Sequence, residues 1–321
     1  MPTIPTTMLA AVIDRFGPPS VLKIREVPVL PIAANEVLIQ VHTAGIGSWD
    51  VDIRGGWWPE GKPKFPIILG TDGSGTVAAI GPRVRRFKIG DKVCAYAWMN
   101  PKGGVYAEYI AVAADKVALI PKNLDLRESG AIPATGLTAL QGIDDHLKVK
   151  RRENVIIHGA AGGVGTLALQ FAKLRGARIL ATATGRDGVA LVKRLGADAT
   201  ADGKKENLTE AARRFAPDGI DAIFATAGGK PLQQCIAALK ARGRLCYPNG
   251  VEPKPKKRKG IKVLTYDAIP GVRELAKLNR AVEAGKVKAV IAAAFPLEQA
   301  AKAHQRIEAG HVLGRVILKV R

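Results

Sequence analysis

The chain is poor in the residues that staple a fold or bind a metal. Its three cysteines, Cys94, Cys235 and Cys246, are scattered and odd in number. That excludes a disulfide framework, and no C-x-x-C pair is present for zinc. A reducing cytoplasm is the compartment this implies. The five histidines, His42, His146, His158, His304 and His311, keep no ligand spacing, so no metal is expected. No apolar run reaches the roughly 20 residues that cross a bilayer. The stretch MPTIPTTMLAAVIDRFG lacks the basic start and long apolar core of a secretory signal, so no membrane role is expected.

Acid is also scarce beside base. There are 28 Asp and Glu against 49 Lys and Arg, a formal net charge of +21. Such a field suits a polyanionic ligand, and nucleic acid is one candidate partner. The basic residues are spread along the chain, which favours a solvated surface. The exception is Pro253 to Lys259, PKPKKRK, which reads as an exposed loop or as a localisation or nucleic-acid segment.

What is present points to two folded domains. Hydrophobic residues make up 47% of 321 residues, ample for large cores. From Leu9 to Ile120 short strand-like runs, such as EVLIQVHTA (Glu36 to Ala44), alternate with turn residues. This argues an all-β, barrel-like unit. GIGSWDVDIRGGWWPEGKPKFP, rich in glycine and proline, reads as a loop. Leu126 to His146 reads as helical pieces. From Asn154 the rhythm becomes strand, helix, strand, helix, with helices over Asp187 to Gly196, Asn207 to Phe215 and Pro231 to Arg242. That alternation argues a doubly wound parallel sheet.

The motif of greatest chemical content is Ala160-Ala161-Gly162-Gly163-Val164-Gly165. It is a G-x-G-x-x-G fingerprint with alanine first. It follows an apolar strand (Val155, Ile156, Ile157) and opens an amphipathic helix, the context that identifies a dinucleotide site. Small residues there allow a sharp turn, approach of a pyrophosphate, and close packing of helix on strand, with the helix N-terminus facing the anion. An acid about twenty residues on marks NAD, yet none occurs from Thr166 through Arg186. Thr184, Gly185 and Arg186 stand there instead. A hydroxyl and a guanidinium suit a 2′-phosphate, so NADPH is the expected cofactor. Asp187 is the competing ribose ligand.

The chain resembles the medium-chain dehydrogenase/reductase superfamily, and within it the zinc-free, ζ-crystallin-like quinone oxidoreductases. The resemblance is carried over nearly the whole length by AGIGSWDVDIRGG (Ala44 to Gly56), LGTDGSGTVAAIG (Leu69 to Gly81), GDKV, GGVYAEY, GLTAL, HGAAGGVG, LGAD and FPLEQAAKAHQRIEAGHVLGRVIL. It implies a GroES-like β-barrel catalytic domain over residues 1–125 and 288–321 and a Rossmann domain over 126–287. It implies hydride transfer from NADPH to a quinone, or alternatively reduction of an enal or enone C=C bond. A nucleic-acid-binding protein that retains the cofactor fold is the reading of another class. Gly47, Thr71 and Asp72 stand where zinc-dependent members carry cysteine and His-Glu, so zinc is not expected. By the same resemblance Thr138, the loops at Gly228 and at Tyr247, Asn249 and Gly250, and Arg315 lie along the cofactor. Asn249 serves the carboxamide or caps a turn. The family's usual 2′-phosphate lysine and tyrosine are Gly188 and Gly203 here. Asp50, Trp57, Trp58 and Tyr96 are the substrate-cleft candidates, with packing an equal alternative for the aromatic ones. Cys246 reads as a strand residue rather than a nucleophile. Ile261 to Thr265 lies where relatives pair edge strands, so a homodimer is expected.

Overall fold

In the computed structural model, which describes residues 4–59, 61–256 and 258–321, the chain divides into two units. One comprises Met1–Ala134, Pro270–Glu283 and Ile291–Arg321; the other comprises Thr135–Ile269 and Ala284–Val290.

The first unit opens with strands β1 (Thr7–Ile13), β2 (Lys23–Pro28) and β3 (Glu36–Ile46), then helix α1 (Ser48–Gly55). There follow β4 (Ile67–Ile68), β5 (Asp72–Ile80), β6 (Lys92–Tyr96), β7 (Tyr109–Ala113) and β8 (Val117–Leu119). Helix α2 (Leu126–Ser129) carries a capping box in which Asp125 accepts from the Glu128 N–H. Helix α3 (Pro133–Gln141) comes next in the chain.

The second unit runs β9 (Asn154–His158), α4 (Gly163–Leu174), β10 (Arg178–Ala183), α5 (Gly185–Arg194), β11 (Ala199–Asp202), α6 (Leu208–Phe215), β12 (Ile220–Ala225), α7 (Lys230–Ala237), β13 (Leu239–Pro248) and β14 (Lys262–Tyr266). After α8 (Val272–Ala284) the chain adds β15 (Ile291–Pro296), α9 (Ala300–Glu308) and β16 (Arg315–Lys319), and these two strands join the sheet of the first unit.

In that first unit, β15-β16-β3-β5-β6-β8 form one path, with β7 on β3, and β2-β1-β4 form a second sheet. Both β3 and β1 are buried over most of their length; one face packs Ile13, Val37, Ile39 and Val41 with Tyr106 and Val316, and the other packs Met8, Ala10, Val12 and Leu38. The second unit is a parallel sheet in the order β11-β10-β9-β12-β13-β14. Its central strands are apolar on both faces, as a sheet covered by helices demands. Ile156, Leu180, Ile223 and Leu245 sit at its centre. The strand order reverses beside β9, which creates a crevice at the carboxyl ends of β9 and β12. Both expected folds, the GroES-like barrel and the doubly wound Rossmann sheet, are present.

Local differences from the sequence expectation have local causes. Ser48–Gly55 is a helix, not a loop. The Asp50 carboxylate accepts from the Gly47 N–H at 2.7 Å, and Gly56 closes the last turn at φ 119°, where only glycine sits without strain. The helix expected to reach Arg242 stops at Ala237, because Leu239 onward is drawn into pairing with β12 and β14. Ala199–Asp202 and Ile291–Pro296 are strands that periodicity did not reveal. Both are short and alanine-rich, and they are ladder-bound to β10 and β16.

Candidate active site

The glycine turn lies at the crevice of the parallel sheet. Gly159 leaves β9 at φ 73°, and a Cβ there would meet the Thr226 hydroxyl oxygen at 2.3 Å. Thr226 in turn donates to the carbonyls of His158 and Gly159, both at 3.1 Å, tying the ends of β9 and β12 together. Gly162 caps α4 from an extended conformation. A Cβ at Gly165 would come within 2.2 Å of the Gly159 carbonyl oxygen, so the helix can start this close to the strand only because no side chain intervenes. Gly162 has nothing nearer than 3.6 Å to such a Cβ. Gly162 and Gly163, between Ala161 and Val164, therefore present backbone without side chains, and the first N–H groups of α4 lack intrahelical partners. Open backbone at a helix N-terminus fits a pyrophosphate.

Thr184 follows the carboxyl end of β10 and caps α5 without a side-chain bond, Gly185 turns at φ 76°, and Arg186 is exposed in the first turn. Asp187 accepts from the Gly188 N–H at 2.9 Å. Gly228 sits in the loop after β12, where a Cβ would strike the Pro253 carbonyl at 2.2 Å. Tyr247 is half-buried at the end of β13, and Gly250 turns at φ 87° in open space. The Asn249 amide is engaged at both atoms. It donates to Asp267 at 2.7 Å and accepts from Thr265 at 2.5 Å, the geometry of a turn cap. The Thr138 carbonyl accepts from the Tyr266 hydroxyl. The basic run is an exposed stretch ahead of β14 in which Arg258 donates to the Ile236 carbonyl at 2.5 Å; its Lys257 lies outside the described residues.

The first unit contains a cavity of ≈ 450 Å³. Asp50, Thr71, Trp58 and Trp98 are among its walls, together with Ile67, Met99 and Lys62. Of the four substrate-cleft candidates, the structure brings Asp50 and Trp58 to this cavity. Trp57 is 52% exposed, its ring 6.1 Å from that of Trp98. Tyr96 ends β6, opposite Asp72 in the ladder, and is not among the lining residues. Trp98, two residues further along in the same segment, is a wall of the cavity.

Beneath the cavity lies a buried polar network. Asp50 is 1% exposed. Its Oδ2 accepts from the Gly47 N–H at 2.7 Å, and its Oδ1 accepts from the Thr71 hydroxyl at 3.0 Å. Thr71 Oγ1 also accepts from Trp49 Nε1 at 2.8 Å. Burial pushes the Asp50 carboxyl up to about 7, against the pull of the Gly47 N–H, Arg315 and Thr71. Arg315 is 4% exposed and paired with Asp72, its guanidinium 4.8 Å from the centre of the Trp49 ring. The physical reason is charge. Asp72 is fully buried at the start of β5, where its other oxygen accepts from the Ala134 N–H at 2.9 Å. Burial pushes the Asp72 carboxyl up and Arg315 draws it back. A lone carboxylate there would cost far more than a paired one. The Tyr106 hydroxyl lies 3.2 Å from His304 Nε2, and burial drives that imidazole down to about 3, assisted by Arg54. The contact between Tyr106 and His304 escapes sequence reasoning because the two are 198 residues apart.

Among the described residues no cluster of three or more His, Cys, Asp or Glu side chains is arranged for a metal, and no helix is long and apolar enough to cross a membrane. Residues 33–122 match the alcohol dehydrogenase GroES-like domain, and residues 195–318 match a zinc-binding dehydrogenase domain. Human quinone oxidoreductase is 31% identical over 324 residues, covering 97% of each chain. The solved quinone oxidoreductase of Coxiella burnetii is 32% identical with a TM-score of 0.86, over 98% of this chain and 100% of that one. A solved NAD-dependent alcohol dehydrogenase is also 32% identical, with a TM-score of 0.90 over 98% of this chain and 100% of its own.

Proposed function

Because the chain belongs to the quinone oxidoreductase branch of the medium-chain dehydrogenase/reductase superfamily, we propose that this oxidoreductase uses NADPH to reduce a quinone, without zinc. The observation that carries the proposal is the donor set beneath the cavity. Gly47 offers no side chain, the Thr71 hydroxyl is held between Trp49 and Asp50, and the Asp72 carboxylate is neutralised by Arg315. Catalytic zinc takes three sulfur, nitrogen or carboxylate ligands, and this set does not fit it. The lack of a Lewis acid to ionise an alcohol counts against alcohol oxidation and favours reduction of an already electrophilic acceptor. Trp58 and Trp98 supply flat walls suited to a planar ring.

The cofactor fits the glycine turn. Ala161, Gly162, Gly163 and Val164 offer backbone to the pyrophosphate, and Thr184 and Arg186 stand where the 2′-substituent of the ribose falls in such sheets. When bound, it supplies a hydride. The chain's own part is to bind and orient the acceptor, exclude water and handle one proton. The three scattered cysteines, all free and buried, support a cytoplasmic setting. The open edge of β14, where Val263 is exposed, supports a homodimer.

The test is a substrate screen. NADPH oxidation is followed with 1,4-benzoquinone and with a 2-alkenal, and each is repeated with NADH. Benzoquinone turnover with NADPH preferred is expected, and turnover of the alkenal alone overturns the acceptor. Arg186→Ala is expected to raise the KM for NADPH by about 10- to 100-fold, the worth of one charged hydrogen bond, with NADH little changed. Equal losses for both cofactors overturn the NADPH assignment.

A further inference from the structure

Reduction of a quinone or enone by hydride leaves an anion that needs a proton, and the network under the cavity holds one. Thr71 Oγ1 carries one hydrogen and two lone pairs. Trp49 Nε1 donates into one lone pair at 2.8 Å. When Asp50 is ionised, the Thr71 hydrogen is used on Asp50 Oδ1 at 3.0 Å. When Asp50 is protonated, its O–H donates into the second lone pair across the same contact. The Thr71 hydrogen is then displaced towards the cavity that both residues line. The Gly47 N–H holds the other Asp50 oxygen at 2.7 Å, so the carboxyl does not turn away. A hydroxyl whose two lone pairs are both filled by fixed donors is an aimed proton donor.

We propose that Thr71 delivers, and Asp50 replenishes, the proton that completes reduction of the acceptor in this cavity. The proposal rests on the reductase activity proposed above. The acceptor takes an electron pair and hydrogen as hydride from the reduced nicotinamide, which is thereby oxidised. Its anionic oxygen then forms an O–H bond with the Thr71 hydrogen. As that bond forms, the Thr71 O–H breaks, and Thr71 takes the proton of Asp50. Asp50 is left as the carboxylate and regains its proton through Thr71, whose hydroxyl hydrogen passes to Asp50 Oδ1 as cavity water gives Thr71 another. Net, one acceptor, one hydride and one solvent proton give the reduced product.

The groups facing Asp50 are consistent with a carboxyl that changes state near neutrality. Burial favours its protonated form, the Asp72 charge adds to this, and Arg315 opposes it. Because Arg315 is already paired with Asp72, its pull on Asp50 is shared. The Tyr106 phenol also hydrogen-bonds Asp50, and burial, with the Asp50 charge, drives it well above its usual range, so it stays protonated. His304, behind Tyr106, is held neutral by burial and Arg54. Among the described residues, the other charged walls of the cavity are Lys62, Lys64 and Lys102, the last of which is paired with Glu36.

The experiment uses the full chain with Asp50→Asn, Thr71→Val and Thr71→Ser. The first readout needs no cofactor. The infrared carboxyl band of the free protein is titrated from pH 5 to pH 9. A band that disappears near pH 7 in the wild type and is missing from Asp50→Asn is expected; no such band overturns the proposal. The second readout is the pH profile of kcat with benzoquinone or the alkenal. The wild-type rate is expected to fall as pH rises through about 7. Asp50→Asn and Thr71→Val are expected to lose about 10²-fold or more, the usual worth of general acid catalysis, and to be flat with pH. Thr71→Ser restores rate and profile. A wild-type profile in Asp50→Asn, or full activity in Thr71→Val, overturns the relay. If the wild type reduces neither acceptor, the function proposed above fails, while the infrared titration still reports on Asp50.

Discussion

Replacing Asp50 by asparagine makes a stability prediction that is independent of any substrate. The folded carboxyl is raised from 3.8 to about 7 by burial. Between those values the native chain holds a proton that the unfolded chain has released. Native binding of the extra proton means that stability falls as pH rises. The contribution is fully present below the unfolded value and lost as pH passes through about 7. At about 1.4 kcal/mol per unit, the shift corresponds to about 4 kcal/mol in all, of which about 3 kcal/mol falls between pH 5 and pH 8.5. Asparagine keeps the shape, accepts from the Gly47 N–H and donates to Thr71, but does not titrate. The four tryptophans, Trp49, Trp57, Trp58 and Trp98, all lie in the first unit, so their fluorescence follows its unfolding selectively. Urea unfolding at pH 5 and pH 8.5 is expected to show the wild type losing about 3 kcal/mol more than Asp50→Asn over that interval. Parallel losses in the two proteins would refute the assignment of a near-neutral carboxyl to this site.

Two further perturbations probe other parts of the fold. Arg315→Met leaves Asp72 buried and unpaired, and the side chains of the pair are only 5% and 0% exposed. A loss of about 3–5 kcal/mol is expected, with most of it recovered when Asp72→Asn is added; urea unfolding of the single and double variants checks this, and a phosphate-binding arginine would show no such rescue. Gly165→Ala drives a methyl to within 2.2 Å of the Gly159 carbonyl, which neither backbone can yield to cheaply. Loss of about 1–3 kcal/mol from overpacking and weakened NADPH binding are expected by thermal unfolding and fluorescence titration, and a variant matching the wild type in both would show that α4 does not start against β9 as described.

Much of the second unit was legible in order along the chain. The glycine turn, the helix after it and the strands on either side are local features, set by periodicity and by the need for backbone without Cβ. The first unit was legible as a class of fold but less so in detail. Ser48–Gly55 looked like a loop because glycine and tryptophan crowd its ends, while the capping contact from Gly47 to Asp50 lies in side-chain geometry rather than composition. The partners of Asn249, Asp267 and Thr265 on its two amide atoms, lie 16 to 18 residues further on and were not legible in the sequence.

What the sequence alone determined was the alternation of strand and helix, the small-residue turn of a dinucleotide site and the lack of thiolate and imidazole where zinc would sit. These follow from residue type at short spacing, which propensity and sterics act on directly. What only the tertiary structure decided was the partnership of groups far apart in the chain. Arg315 and Asp72, separated by 243 positions, meet because β16 and β5 both flank β3, and an uncompensated buried charge is too costly to leave alone. Asp50 and Thr71, on α1 and just ahead of β5, share a hydrogen bond under one cavity. Their chemistry depends on burial, and burial belongs to the folded chain.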